Sequence, residues 1–177
     1  MKKITAVIPF NQQPYFERML QPILESPLIE KVLILRREPL TPSWPKCDTI
    51  EADSLSSSGT WNILLHNIRT EYLLLINDLH EILIVPGSME RFLDVAESTA
   101  AGMVFSDYYE GKDGALTEHP VNDYQTGSIR DDFDFGPVVV FSMPALRGAL
   151  EQYGAVIKTK HAGLYDVRLK VSINTPP

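Results

Sequence analysis

The sequence predicts an α/β protein, a three-layer α/β/α sandwich around a mostly parallel central sheet, and three observations carry that prediction. The segment Glu71-Tyr-Leu-Leu-Leu-Ile-Asn-Asp-Leu-His-Glu81 contains an apolar run without polar alternation, as expected of a strand buried on both faces. Near the N-terminus, strand, helix and strand patterns succeed one another within about thirty residues, the length of a βαβ unit with its right-handed crossover. With 177 residues, 44% hydrophobic and 22% charged, the chain has room for one continuous core and is expected to be a single domain over 1–177.

Lys3 to Pro9 reads as the first strand, stopped by Pro9, which has no N–H for a sheet ladder. Asn11-Gln-Gln-Pro14 opens a helix, since proline is tolerated in a first turn. Phe16, Met19, Leu20, Ile23 and Leu24 then recur at three- and four-residue steps on one face. Glu30 to Leu35 is a second buried strand. Arg36 to Ser58 carries Pro39, Pro42, Pro45 and Cys47, then Ser54-Leu-Ser-Ser-Ser58, and reads as exposed loop or short strand. Thr60 to Ile68 is a helix that starts at Gly59 and turns Trp61, Leu64, Leu65 and Ile68 inward.

Glu71 to Ile76 is the third strand. Pro86 to Ala96 is a helix capped by Ser88, with Arg91, Asp94 and Glu97 on its wet side. Met103 to Ser106 is a fourth strand, ending in Asp107-Tyr-Tyr-Glu110. Gly111-Lys-Asp-Gly114 has hairpin chemistry, because Asp-Gly accepts positive φ. Residues 115 to 135 read as a polar, irregular functional loop. Val138 to Phe141 is a strand, Pro144 to Tyr153 a helix, and the alternation of Leu164 to Val171 suits either strand or helix.

The formal net charge of −7 speaks against a nucleic-acid surface. The longest basic cluster, Lys158-Thr-Lys-His161, reads as a solvated turn before a strand. The single Cys47 excludes an internal disulfide framework and is compatible with a reducing cytoplasm. Met1-Lys-Lys leads into a strand rather than a signal peptide, and no run of about eighteen apolar residues suggests a membrane span. The expected location is cytoplasmic, with peripheral attachment at the inner face of the membrane left open.

In open α/β sheets, ligands bind beyond the carboxyl ends of the strands, where Asn77, Asp78, His80 and Glu81 are delivered. Asp78 and His80 offer an oxygen and a nitrogen ligand of the kind Mg²⁺ or Mn²⁺ takes when it also bridges a diphosphate, and Asp78 equally suits a turn cap. Asn11 at the end of the first strand suits a base or ribose contact, or an Asx turn. Trp61 and Asn62 suit either a ligand or helix packing with one solvated amide. Asp166 is a carboxylate for general-base work if the crevice reaches it, and a surface acid otherwise. The absence of a P-loop, of a Gly-x-Gly-x-x-Gly after the first strand and of a nucleophile elbow argues against those enzyme classes.

Taken in order, these pieces resemble the family-2 inverting glycosyltransferases, whose nucleotide-sugar-binding domain has the Rossmann-like GT-A fold. Nearly the whole chain takes part. Ile4-Thr-Ala-Val-Ile-Pro-Phe-Asn11 is similar to that family's opening strand, which ends in Pro-Thr-Tyr-Asn, and Gly59 to Ile68 resembles its Ala-Arg-Asn helix. Glu71 to Glu81 stands in the place of the strand ending in Asp-x-Asp-Asp, and Pro86-Gly-Ser-Met-Glu90 resembles Pro-Gly-Ala-Leu-Glu. Phe133-Asp-Phe-Gly136 and Ala162 to Lys170 are similar to acceptor-side segments. The departures are Leu79 where the second acid of the metal motif stands, Leu35-Arg-Arg-Glu38 in place of Asp-Gly-Ser, and Gly163-Leu164 in place of a Glu-Asp pair. The chain also ends at Ser172 to Pro177, short of that family's C-terminal helices, as a truncated protein would.

The resemblance implies transfer of a sugar from a nucleotide diphosphate sugar to a saccharide or lipid-linked acceptor hydroxyl, with inversion, as in bacterial polysaccharide biosynthesis. It places Pro9, Asn11, Trp61, Asn62, Asn77 and Asp78 against the donor, Asp78 with His80 on a divalent cation (Mg²⁺ or Mn²⁺), and Asp166 as base. Arg130, in Gly127-Ser-Ile-Arg130, would meet the diphosphate if no metal binds. The alternative is a non-catalytic GT-A-like binding or assembly domain that has lost the metal motif. A nucleotidyltransferase of related fold ranks last, because Phe10-Asn-Gln-Gln13 does not supply a Gly-rich basic loop.

Overall fold

In the computed structural model, residues 3–37, 44–52, 54–78, 80–125, 129–130 and 133–175 are described. The chain order is β1 (Ile4–Pro9), α1 (Phe16–Glu25), β2 (Ile29–Arg36), β3 (Cys47–Glu51), α2 (Ser58–Asn67), β4 (Tyr72–Ile76) and α3 (Ser88–Thr99). There follow β5 (Met103–Phe105), β6 (Tyr108–Lys112), β7 (Ala115–His119), β8 (Val138–Ser142), α4 (Met143–Tyr153) and α5 (Gly163–Asn174).

The main sheet has six strands in the order β3-β2-β1-β4-β8-β5. Only β8 runs against the rest, antiparallel to both β4 and β5. The central strands carry apolar side chains on both faces, as the sequence predicts. Ile4, Ala6 and Ile8 of β1 join Tyr72, Leu74 and Ile76 of β4 on the face covered by Phe16, Met19 and Leu20 of α1 and Met89 and Leu93 of α3. Val7, Leu73 and Leu75 point the other way, onto Trp61 and Leu64 of α2, Leu146 of α4 and Val167 and Val171 of α5. The layers are therefore helix, sheet, helix.

Several local readings change. Residues 115–119 are strand β7 rather than irregular loop, paired with β6 through a turn in which Asp113 and Gly114 take φ of 51° and 81°. That is the two-residue hairpin geometry that Asp-Gly favours. The ambiguous segment from Leu164 is helix α5: Gly163, Val167 and Val171, four residues apart, are its buried stripe. Lys158 to His161 accordingly precedes a helix, not a strand. At the start of α3 the cap position belongs to Gly87, at φ 86°, with Ser88 the first helical residue. The stretch after Arg36, read as loop or short strand, does hold a short strand, β3, while Glu38, Pro39 and Pro42 lie outside the described residues, as do Leu79, Gly127 and Ser128.

The N-terminus of α5 touches the loop before α2. The Gly163 N–H donates to the Ser56 carbonyl at 2.6 Å, and a Cβ at Gly163 would stand 2.9 Å from that oxygen. Ser58 and Thr159 exchange hydrogen bonds beside it, at 3.0 and 3.2 Å. No helix among the described residues is long and apolar enough to cross a membrane.

Candidate functional site

The parallel strands all leave the sheet at one edge, and β8, running backward, enters the sheet at that same edge. Ile76 at the end of β4 pairs with Val138 at the start of β8, and the Asn77 N–H donates to the Pro137 carbonyl at 3.1 Å. The segments after β1, β4 and β5 and the segment before β8 therefore converge on one crevice, at the position where open α/β sheets bind ligands.

At the end of β4, Asp78 Oδ1 accepts the His80 N–H at 3.0 Å and lies 2.6 Å from His80 Nδ1. The His80 side chain is 89% exposed and that of Asp78 40%. With Nδ1 held by the carboxylate, Nε2 of His80 faces solvent. Glu81 is drawn away from the crevice by Arg18 of α1, whose Nε donates to it at 2.7 Å. At the end of β1, Pro9 is half-buried and pairs with Leu35, and Asn11 Oδ1 accepts the Gln13 N–H at 3.2 Å in an Asx turn. Arg130 is exposed, and its carbonyl accepts the Phe133 N–H at 3.2 Å.

Two expected site residues are corrected. Trp61 is 0% exposed, packs edge-on against Phe141 at 6.2 Å, and donates its indole N–H to the Leu55 carbonyl at 2.7 Å. It is a core residue with a satisfied polar tip and meets no ligand, while Asn62 beside it points to solvent on α2. Asp166 Oδ2 accepts from Lys170 Nζ at 2.7 Å and from the Ile157 N–H at 2.9 Å, and its side chain is only 16% exposed. A carboxylate tied to an ammonium and a backbone amide fastens the loop before α5 and is poorly placed to take an acceptor proton.

A second cluster at the crevice went unrecognised in the sequence. His119 closes the β6–β7 hairpin, its ring stacked on Tyr108 with centroids 4.4 Å apart. His119 Nε2 lies 3.1 Å from Asp134 Oδ2 and Nδ1 3.4 Å from Glu110 Oε1. Asp134 Oδ1 accepts the Gly136 N–H at 2.8 Å, while Asp107 accepts the Val121 N–H at 2.8 Å. The Tyr108 phenol titrates above its ordinary value, through burial first and then the charges of Asp134, Glu110 and Asp78. The hydrogen bond from the Asn77 N–H to the Pro137 carbonyl sets the exit of β4, with Asp78, beside the entry of β8, with Asp134.

Arg168 of α5 lies under this corner. Its guanidinium sits 4.3 Å from the Phe135 ring centroid, and burial pulls its pKa down to about 10 against the opposing charge of Asp134. Nε and Nη2 are buried without a hydrogen-bond partner.

Further along the same edge, beyond β2 and β3, a cavity of about 360 Å³ opens between the strand ends and the first turns of α2. Arg37, Glu51, Ala52, Ser57, Thr60 and Ile63 line it.

This strand order, with one reversed strand in an otherwise parallel sheet, defines a Rossmann-like α/β/α sandwich of the GT-A kind. Solved structures sharing it include the 2-C-methyl-D-erythritol 4-phosphate cytidylyltransferases of Francisella tularensis and Thermus thermophilus. The first superposes with a TM-score of 0.57 at 10% identity, covering 99% of this chain and 88% of that one. The second does so with a TM-score of 0.55 at 16% identity, covering 99% and 86%. The 4-diphosphocytidyl-2C-methyl-D-erythritol synthase of Anaerococcus prevotii gives 0.57 at 10%, covering 94% and 81%. At these identities the likeness carries the fold. No protein-family model and no curated protein matches the sequence.

Proposed function

We propose that this protein is a transferase that holds a nucleotide diphosphate sugar across the carboxyl edge of its sheet and passes the sugar to an acceptor hydroxyl. The observation that carries this reading is the approach of two acid-bearing segments, Asp78 after β4 and Asp134 before β8, which the Ile76–Val138 pairing and the hydrogen bond from the Asn77 N–H to the Pro137 carbonyl hold side by side. Sugar transfer needs a group for the leaving diphosphate and a group for the acceptor proton, on opposite sides of the reacting carbon. Asp78 with His80 faces the first task and Asp134 the second; Asp134, like Asp166, accepts from a neighbouring side chain and a backbone amide, but its side chain is 45% exposed against 16% for Asp166 and is open to an acceptor. Asn11 and Asn77 flank the donor, and Arg130 is the cationic side chain of the acceptor-side segment. In a displacement with inversion, Asp134 accepts the hydroxyl proton as the acceptor oxygen attacks the anomeric carbon and the nucleoside diphosphate leaves.

With Nδ1 of His80 bonded to Asp78 Oδ1, Nε2 points away from that carboxylate, so a divalent cation shared by the two residues would need the imidazole to give up that bond and turn; the resulting oxygen and nitrogen donor set would suit Mn²⁺ better than Mg²⁺. Among the described residues no group of three His, Cys, Asp or Glu side chains is placed to hold a metal, so the diphosphate would supply much of the coordination. Bound there, the cation would neutralise charge on the diphosphate.

The test is calorimetric titration with UDP and GDP, with and without Mn²⁺, on wild type and Asp78→Ala. Nucleotide binding strengthened by Mn²⁺ in wild type and independent of it in the variant is expected. If no nucleotide binds under any condition, the donor-site reading is wrong. The fold neighbours favour a second reading, nucleotidyl transfer from a nucleoside triphosphate to a sugar phosphate. Against it, the segment after β1, Phe10-Asn-Gln-Gln13, has no glycine, lysine or arginine to cradle a triphosphate. Release of pyrophosphate from CTP in the presence of sugar phosphates would decide for that reading.

A further inference from the structure

We infer that the cavity beyond β2 and β3 is a base-recognition site selective for guanine, so that the donor is a guanosine diphosphate sugar. This deepens the transferase reading and rests on it.

The cavity's position comes from the sheet order. Neighbouring strands lie about 4.8 Å apart, so β3 is roughly three strand spacings, about 14 Å, from β4. A nucleoside diphosphate laid along the carboxyl edge with its phosphates at Asp78 reaches β2 and β3 with its base. There the edge opens into about 360 Å³ with apolar wall from Ala52 and Ile63.

The chemistry of the wall selects the ligand. Arg37 and Glu51 line the same cavity, both are exposed, and neither has an ion-pair partner among the described residues. Opposite charges that share a cavity without pairing with each other leave one acceptor and one donor for a guest. Thr60 is 2% exposed, and its hydroxyl has no hydrogen-bond partner. That hydroxyl lies just beneath the cavity surface, and a rotation of the Thr60 side chain toward a bound polar edge would satisfy it.

An anion fits the cavity poorly, even though it lies at a helix N-terminus. The Ser58 N–H is already taken by the Thr159 carbonyl and the Gly59 N–H by Ser57 Oγ at 3.2 Å, and Glu51 repels negative charge. A neutral planar group with N–H donors on one edge and acceptors beside them fits the wall well. Among the nucleobases only guanine offers two adjacent donors, N1–H and N2–H, that a single carboxylate can accept together, and it adds O6 and N7 for an arginine. Uracil would set two carbonyls beside Glu51. Cytosine and adenine offer one amino group flanked by an acceptor.

The experiment is equilibrium titration of the full chain with GDP, UDP, CDP and ADP in the presence of Mn²⁺, repeated on Glu51→Gln and Thr60→Val, with thermal melts as a folding control. GDP is expected to bind at least about tenfold more tightly than the others, in line with the 1–3 kcal/mol that one bidentate base contact contributes. Glu51→Gln should cut GDP affinity about tenfold and leave UDP within about twofold, and Thr60→Val should weaken GDP by a smaller factor. Nucleotides that bind with no preference for GDP, or a GDP preference unchanged by Glu51→Gln, overturn the guanine assignment and leave the transferase reading standing. Failure of every nucleotide to bind overturns both.

Discussion

The crevice contains two histidine–aspartate pairs built in opposite ways. After β4, Asp78 and His80 are two residues apart, and the pair forms within one turn, largely in solvent, with the distal imidazole nitrogen exposed. At the hairpin stem, His119 reaches Asp134 fifteen residues away, faces Glu110 on the neighbouring strand and stacks on Tyr108. In the first pair, chain proximity makes the contact and leaves chemistry available. In the second, the fold makes the contact and spends both ring nitrogens on holding the hairpin to the body. A local pair thus leaves its imidazole free to react, whereas the assembled pair commits its imidazole to positioning and leaves the half-exposed Asp134 carboxylate facing the crevice.

Asp134→Ala should test this difference most severely. It removes the acceptor of the Gly136 N–H, the partner of His119 and the charge facing Arg168, so unfolding free energy in urea titration should fall by about 2 kcal/mol. Arg168→Met is expected to act in the opposite direction. A buried guanidinium with two unpartnered nitrogens is replaced by an apolar chain of similar reach, and stability should rise by about 1 kcal/mol. A loss of stability in that variant would mean that the contact with Phe135 outweighs the unpartnered donors.

Asp78→Ala should change unfolding free energy by less than about 0.5 kcal/mol, because its pair with His80 is exposed and local. A loss as large as that of Asp134→Ala would abolish the distinction between the two pairs. The smallest effect is expected in alkali. The folded-state pKa of Tyr108 is raised, so the native state keeps a proton that the unfolded chain gives up, and this contribution, complete below about pH 10, is lost as pH rises through the folded value. Melting temperature should therefore fall above pH 10 slightly more steeply in wild type than in Tyr108→Phe.

The central strands were legible because burial on both faces leaves an unbroken apolar signature in β1, β2 and β4. The Asp113-Gly114 turn was legible because its backbone demands that chemistry. Pairing outward from that turn does bring Tyr108 opposite His119, a juxtaposition the sequence contains. Asp134, by contrast, arrives through the direction of β8, which no local pattern encodes. Asp166 was misassigned although Lys170, one helical turn on, was a visible partner once the segment is taken as helix. Trp61 was misassigned because residue type alone does not say whether an indole faces the core or a ligand. Glu51 and Arg37 share a cavity only because β2 and β3 pair in register at Arg36 and Glu51, a tertiary fact.

The reversed strand β8 gives the crevice an uneven capacity for change. Its register is clamped on one side by β4 and on the other by β5, so insertions or deletions in the segment that precedes it leave the core strands in step. The opposite side of the crevice has less slack, since the exits from β1 and β4 lead into α1 and α3, the helices that cover one face of the sheet. Length changes among descendants of this chain would therefore gather in the segment between β7 and β8 and spare the exits of β1 and β4.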